Sequence, residues 1–127
     1  RAVQARLYRA RVYDLQGAEE RAFQELRAAL NSAPRLEEVQ RRMEAHQRRR
    51  EGEALARRGE GKAALEVLIR ALRLDSEDPL THAHIGRALQ LLGLDDKARE
   101  SFQRARQLSQ SAPSEEEMGL NTRPACS

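Results

Sequence analysis

Shifting the chain against itself by 34 residues lays ARRGEGKAALEVLIRALRLD (56–75) over QLLGLDDKARESFQRARQLS (90–109), and this repeat restricts the fold more than any other feature of the sequence. Gly59 falls on Gly93, Ala64 on Ala98, Leu68 on Phe102, Ala71 on Ala105 and Leu74 on Leu108. Upstream, REGEAL (50–55) falls on HIGRAL (84–89), pairing Gly52 with Gly86, Ala54 with Ala88 and Leu55 with Leu89. A third copy, VYDLQGAEERAFQELRAALNSAP (12–34), carries Gly17, Ala22, Leu26 and Ala29 at the same internal spacing, offset by 42 residues. Eight extra residues therefore separate the first two copies, and RLEEVQRRME (35–44) supplies them.

Each copy predicts two helices joined by a tight turn. Gly17, Gly59 and Gly93 supply the permissive backbone that ends the first helix of a pair. Small residues at the crossings, Ala54 with Ala64 and Ala71, Gly86 with Ala98 and Ala105, let the two backbones approach while Leu and Phe fill the gaps. Asp78 before Pro79 reads as a helix start, the proline standing where its missing N–H costs nothing. Leu36, Val39 and Met43 recur at spacings of three and four, so the extra residues lengthen the second pair's first helix to about twenty residues, Leu36 to Arg58, whose apolar stripe either covers the first pair, the favoured reading, or reaches past the solenoid to a partner. Composition agrees: 39% hydrophobic and 34% charged residues, with two Phe, two Tyr and no Trp, suit a helical core of Leu and Ala better than a β-sandwich.

These features together, the 34-residue period, the Gly or Ala inside the first helix, the Gly at the turn, the paired alanines on the second helix and Pro34 at a unit's end, resemble the tetratricopeptide repeat family. The resemblance implies an all-α fold, an α-solenoid of antiparallel helix pairs wound into a right-handed superhelix, with repeats at about 3–36, 45–78 and 79–112, a helix-extending insertion at 37–44 and a short tail at 113–127. This chain departs from the family pattern on the first helices, where Arg6, Arg48 and His82 replace a bulky apolar residue and Arg9 and Glu51 replace a leucine. The family implies a non-catalytic protein–protein interaction module, an adaptor or scaffold, whose concave wall is built from the first helices. That wall maps onto Gln4, Leu7, Tyr8 and Arg11, then His46, Arg49, Arg50, Glu53 and Arg57, then Leu80, Ala83, His84, Arg87, Gln90 and Leu91.

Net charge is only +3, with 23 basic and 20 acidic residues, so clusters carry the information rather than the total. The stretch Arg41 to Gly59 holds seven arginines. Of these, Arg49, Arg50 and Arg57, flanked by Arg11 and Arg87 and with Tyr8 and His84 nearby, form a partner-binding set for an acidic or mixed-charge peptide or helix, because guanidinium grips carboxylate through two hydrogen bonds at once. The bland alternative is a solvated helix face balanced by Glu37, Glu38, Glu44, Glu51 and Glu53. The family's chaperone-tail clamp needs lysine and asparagine on these helices, and neither is there. RNA is a weaker partner, since aromatic residues for base stacking are scarce, and a bipartite nuclear signal conflicts with the helical pattern.

Nothing points to catalysis, a metal or a cofactor. His82 and His84 stand two apart on a helix and face different ways, and GEGK (59–62) lacks the spacing of a phosphate loop. The single cysteine, Cys126, forms no internal disulfide, which leans towards a cytoplasmic protein, and no apolar run reaches the length that crosses a bilayer. The opening Arg1 suggests a piece of a longer protein. In the tail, Ser114 and Glu117 read as the start of a short helical turn followed by disorder. Without a capping helix, the last helix would expose Ala98, Phe102, Ala105 and Leu108 unless Met118 and Leu120 fold back. Phe102 and Leu108 thus mark a second contact, by which the chain would act as a structural subunit docked through its ends inside a multi-subunit complex.

Overall fold

The computed structural model describes residues 2–111, and these form six α-helices: α1 (Ala2–Leu15), α2 (Glu19–Ser32), α3 (Glu37–Arg57), α4 (Gly61–Leu74), α5 (Pro79–Leu91) and α6 (Asp95–Ser111). The described residues are all helix, turn and loop; the tail from 112 onward, with the expected helical turn, Met118, Leu120 and Cys126, lies outside them. None of these helices is long and apolar enough to cross a membrane.

The turns explain the pairing. Gly17, Gly59 and Gly93 all take positive φ, 79°, 79° and 76°, a conformation open to glycine without a Cβ clash. Each closes the same double hydrogen bond at a helix end. The Gly17, Gly59 and Gly93 amides donate to the carbonyls of Asp14, Ala56 and Gln90, and the next amides, Ala18, Glu60 and Leu94, donate to Tyr13, Leu55 and Leu89. So short a turn sends the second helix back along the first, and α1 packs on α2, α3 on α4 and α5 on α6.

The repeated residues are the buried faces of α2, α4 and α6. Ala22, Ala64 and Ala98, then Leu26 and Leu68, then Ala29, Ala71 and Ala105 are all buried, and Phe102, the third counterpart of Leu26, is half-buried. Opposite these large side chains stand small residues. A methyl group on Gly52 would lie 2.5 Å from Leu68, and one on Gly86 would lie 2.7 Å from the Phe102 ring. Ala54, expected at a crossing, is instead exposed, although its counterpart Ala88 is fully buried. The reason is the splay of α2 from α3. These helices meet through Val39 and Met43 near the start of α3, and further along a depression of about 540 Å³ opens between Leu30 and Gln40, Glu44, Gln47, Arg48 and Glu51. Among the described residues, α2 does not cover Ala54 as α4 and α5 enclose Ala88.

The 21 residues of α3 realise the lengthened helix, and its first turns do cover the first pair. Val39 and Met43 join Leu7, Ala10, Ala22, Leu26 and Ala29 in one apolar core. A second core holds Ala64, Leu68, Ile85, Ala88, Leu89 and Ala98, with Leu55, Ala56 and Phe102 packed against it. The two cores have no residue in common, and α3 is the one helix that contributes to both.

Candidate functional site

The space between the two cores is polar. Arg49 projects from the middle of α3, is 1% exposed, and holds two carboxylates at once. Its Nη1 donates to Asp78 Oδ2 at 2.7 Å and to Asp14 Oδ2 at 3.2 Å, and its Nη2 donates to Asp14 Oδ1 at 3.1 Å and to His46 Nδ1 at 3.2 Å. Arg11, one turn before Asp14 on α1, grips Asp75 with both Nη atoms at 3.0 and 3.1 Å and lies 3.5 Å from Asp78 Oδ1. Arg42 completes the layer, its Nε 3.4 Å from Asp75 and its Nη2 donating to the Leu7 carbonyl at 3.0 Å. Three guanidinium groups thus meet three carboxylates between α1, α3 and the α4–α5 turn.

Asp78 is the pivot of this layer. As the N-cap of α5 it accepts from the Leu80 amide at 3.0 Å, and its second oxygen takes Thr81 Oγ1 at 3.1 Å beside Arg49. Burial works against its charge, but Arg49 and Arg11 outweigh burial and hold the carboxyl below its ordinary range. For Asp14 the balance falls the other way: burial exceeds the attraction of Arg49, with Asp78 adding repulsion, and the carboxyl is pushed up. Arg49 itself is raised, its two carboxylates overcoming a large burial cost. His46, stacked on Phe23 at 5.6 Å between ring centres, is pushed down to about 4 by burial and then by Arg49 and Arg50.

This arrangement corrects the sequence reading of the arginine wall. Arg49 and Arg11 were expected to face a ligand; both are spent inside the protein on Asp14, Asp75 and Asp78. Leu7 is likewise in the first core, 2% exposed, rather than on a wall. The bland alternative balanced the arginines with glutamates of α3 itself, and Arg41, Arg48 and Arg57 are paired in that way, but Arg11 and Arg49 are not. The true partners are aspartates up to 64 residues away in sequence, and Asp78, read only as a helix cap, is the one that matters most. A signal was present in the helical stripe Val39, Met43, His46, Arg49, Gly52: positions three or four apart that continue one face while their chemistry changes from apolar to polar.

What remains open to solvent is a groove of about 310 Å³ between the second half of α3 and α5, lined by Glu53, Ala56, Arg57, His84, Arg87, Gln90 and Leu91. All but Ala56 belong to the wall mapped from sequence. Here Arg57, His84 and Arg87 come together, while Arg50 stands further up α3, exposed and 3.7 Å from Glu19, and Tyr8 is half-buried on α1. The Arg57 side chain is 72% exposed and is paired with Glu53 one turn earlier. Arg87 is exposed and makes no salt bridge among the described residues. Leu91, half exposed, gives the groove an apolar end. Burial, opposed by Glu53 and reinforced by Arg87 and Arg49, pushes the His84 imidazole below its usual value.

The expected apolar end of the chain is also corrected. Ala98, Ala105 and Leu108 are buried and Phe102 lies against Gly86 of α5, so this stripe faces inward. The outer side of α6 presents Asp96, Arg99, Glu100, Gln103 and Arg106 around a shallow depression that Phe102 reaches. Among the described residues, no cluster of His, Cys, Asp and Glu is arranged to hold a metal ion. In comparisons with known proteins, no family model matches this chain, and no curated protein resembles it at a significant level.

Proposed function

We propose that this chain is a protein–protein interaction module without chemistry of its own, a right-handed solenoid of three tetratricopeptide-like helix pairs that receives an acidic or mixed-charge peptide or helix between α3 and α5. The observation that carries this reading is the groove itself: two exposed guanidinium groups, Arg57 and Arg87, beside an apolar strip of Ala56 and Leu91. Among the described residues Arg87 is paired with no carboxylate, so an incoming Glu or Asp meets a cation that need not break one of their pairs. An apolar side chain one helical turn away on the same ligand would reach Leu91. Positive charge with an adjacent apolar surface favours an amphipathic acidic segment over a nucleic acid, which would want aromatic residues for its bases. Docking of the chain through its last helix has less support, because the outer side of α6 is charged and its apolar stripe is used internally.

Selection of a random peptide library on the chain tests the reading. Peptides enriched in Glu or Asp next to Leu are expected, with affinity falling as salt rises. Arg57→Glu with Arg87→Glu is expected to weaken them at least about tenfold, the loss of two charge-assisted contacts, while Arg41→Glu, far from the groove, leaves them unchanged. Enrichment of basic or purely apolar peptides, or equal binding by the double variant, would sink it.

A further inference from the structure

The floor of the groove holds two buried polar groups that are not satisfied. Glu53 uses Oε2 on Arg57, but its Oε1 is buried with no hydrogen-bond partner. The nearest candidate is His84 Nε2, 3.7 Å away, close enough to feel the charge and too far for a hydrogen bond. His84 Nδ1 is also buried and unpartnered. An unmade hydrogen bond between buried groups is costly, and a small turn of the Glu53 carboxylate would make this one. Arg57 opposes that turn by holding the other oxygen, and Arg57 is mostly in solvent, free to follow a better partner.

Resting on the groove reading above, we propose that a ligand carboxylate draws Arg57 away from Glu53, that the released Glu53 carboxylate turns onto His84, and that His84 takes up a proton from solvent as it does so, coupling occupancy of the groove to protonation. The imidazole becomes imidazolium, its Nε2–H donates to Glu53, and no bond other than those to protons changes. Ligand binding and proton binding then assist each other, as linkage requires. The other charges around His84 set the background. From α3 these are Arg49 and Arg57, from α5 Arg87 and the cap Asp78, and behind Arg49 and Asp78 stand Asp14 and Arg11 of α1. The charged residues of α4 and α6 are all exposed. In the unliganded protein burial and the arginines keep His84 neutral; among the described residues Glu53, 3.7 Å away, is the carboxylate placed to reverse this.

The test uses the full chain and the acetylated, amidated peptide Glu-Glu-Leu-Glu-Glu-Leu in isothermal titration at pH 7.5 and 6.0, with two buffers of different ionisation enthalpy. Binding about fivefold tighter at pH 6.0, with a heat that changes with the buffer, is expected for uptake of most of one proton. His84→Gln, whatever it does to the affinity itself, should abolish both the pH dependence and the buffer dependence. A ligand-free measurement stands beside it: Arg57→Gln should raise the His84 pKa seen by NMR of the ring, and adding Glu53→Gln should cancel the rise. Binding with equal affinity at both pH values and no buffer dependence overturns the coupling alone. Failure of the peptide to bind at either pH overturns the groove reading and the coupling with it. A His84 pKa indifferent to Arg57→Gln overturns the coupling whatever the peptide does.

Discussion

The two halves of the molecule are closed by different physics. From the second half of α3 to α6, successive helices meet through apolar contact: Leu68 presses on Gly52, Phe102 on Gly86, and Gly61, first residue of α4, lies so close to α5 that an added methyl would be 3.0 Å from Leu91 Cβ. The first pair is apolar inside and joined to α3 by Val39 and Met43, yet it meets the α4–α5 turn through Arg11, Asp14, Arg49, Asp75 and Asp78. Apolar contacts weaken gradually when a side chain is trimmed. A buried ion layer does not, because each charge left behind has lost its solvent and its partner together.

The largest effect is therefore expected at Arg49. Arg49→Met leaves Asp14 and Asp78 buried without their main cation and should cost about 3–5 kcal/mol, read by urea unfolding. Hydrogen exchange should quicken in α1 and α2 before it does in α5 and α6. A loss under about 1 kcal/mol, or one spread evenly over all six helices, would break the contrast between the halves.

Filling the close contacts of the other half should do less. Gly52→Ala and Gly86→Ala drive a methyl into Leu68 and the Phe102 ring at 2.5 and 2.7 Å. Overpacking costs about 1–3 kcal/mol, offset in part by the roughly 1 kcal/mol by which alanine favours helix over glycine. A net loss near 1 kcal/mol is expected in thermal unfolding. A stabilised variant would show that Leu68 or Phe102 moves aside freely.

Acidity addresses the polar layer. His46 is neutral when folded, with its value near 4 against an ordinary 6.5, so the folded state binds fewer protons than the unfolded one across that window. The stabilisation is complete above pH 6.5 and is lost as pH falls towards 4, on the order of 2 kcal/mol after allowance for solvent screening. His84, also lowered, acts with the same sign. His46→Gln keeps an acceptor for Arg49 without a titrating ring, and its stability should fall less steeply between pH 6.5 and 4; an unchanged slope would remove His46 from the account.

The smallest effect belongs to exposed pairs of the kind that dominate the arginine run by eye. Arg41 and Glu37, 3.8 Å apart on α3, should be worth about 0.3 kcal/mol, so Arg41→Ala should sit within the error of Arg42→Ala's much larger loss. Arg42 differs from its neighbour by one position and by everything it touches.

That pair also shows what the sequence makes legible. Periodicity reveals which face of a helix is used, and it predicted the paired helices, the three glycine turns and the long third helix, because glycine and alanine recur where two backbones must approach. It does not reveal what an arginine on that face finds there. The partners of Arg11 and Arg49 come from the α4–α5 turn and from α1, and their assembly depends on three-dimensional closure that no local spacing encodes. In the groove, Arg57, His84, Arg87, Gln90 and Leu91, each named from the sequence, line one depression, while the stripe expected to be exposed on α6 is buried, with Phe102 against Gly86 of α5, a contact that the repeat spacing does not show.

The reach of the Arg11–Asp75 contact, 64 residues in sequence, has a consequence for how the chain is made. During synthesis α1 and α2 leave the ribosome well before Asp75 and Asp78 exist, and contacts of such long sequence separation form late. Until then Arg11 and Asp14 stay hydrated, and the first pair is a hairpin with its lock open. Completion of the α4–α5 turn supplies the key, so α1 and α2 become fixed in place only once translation has passed Asp78.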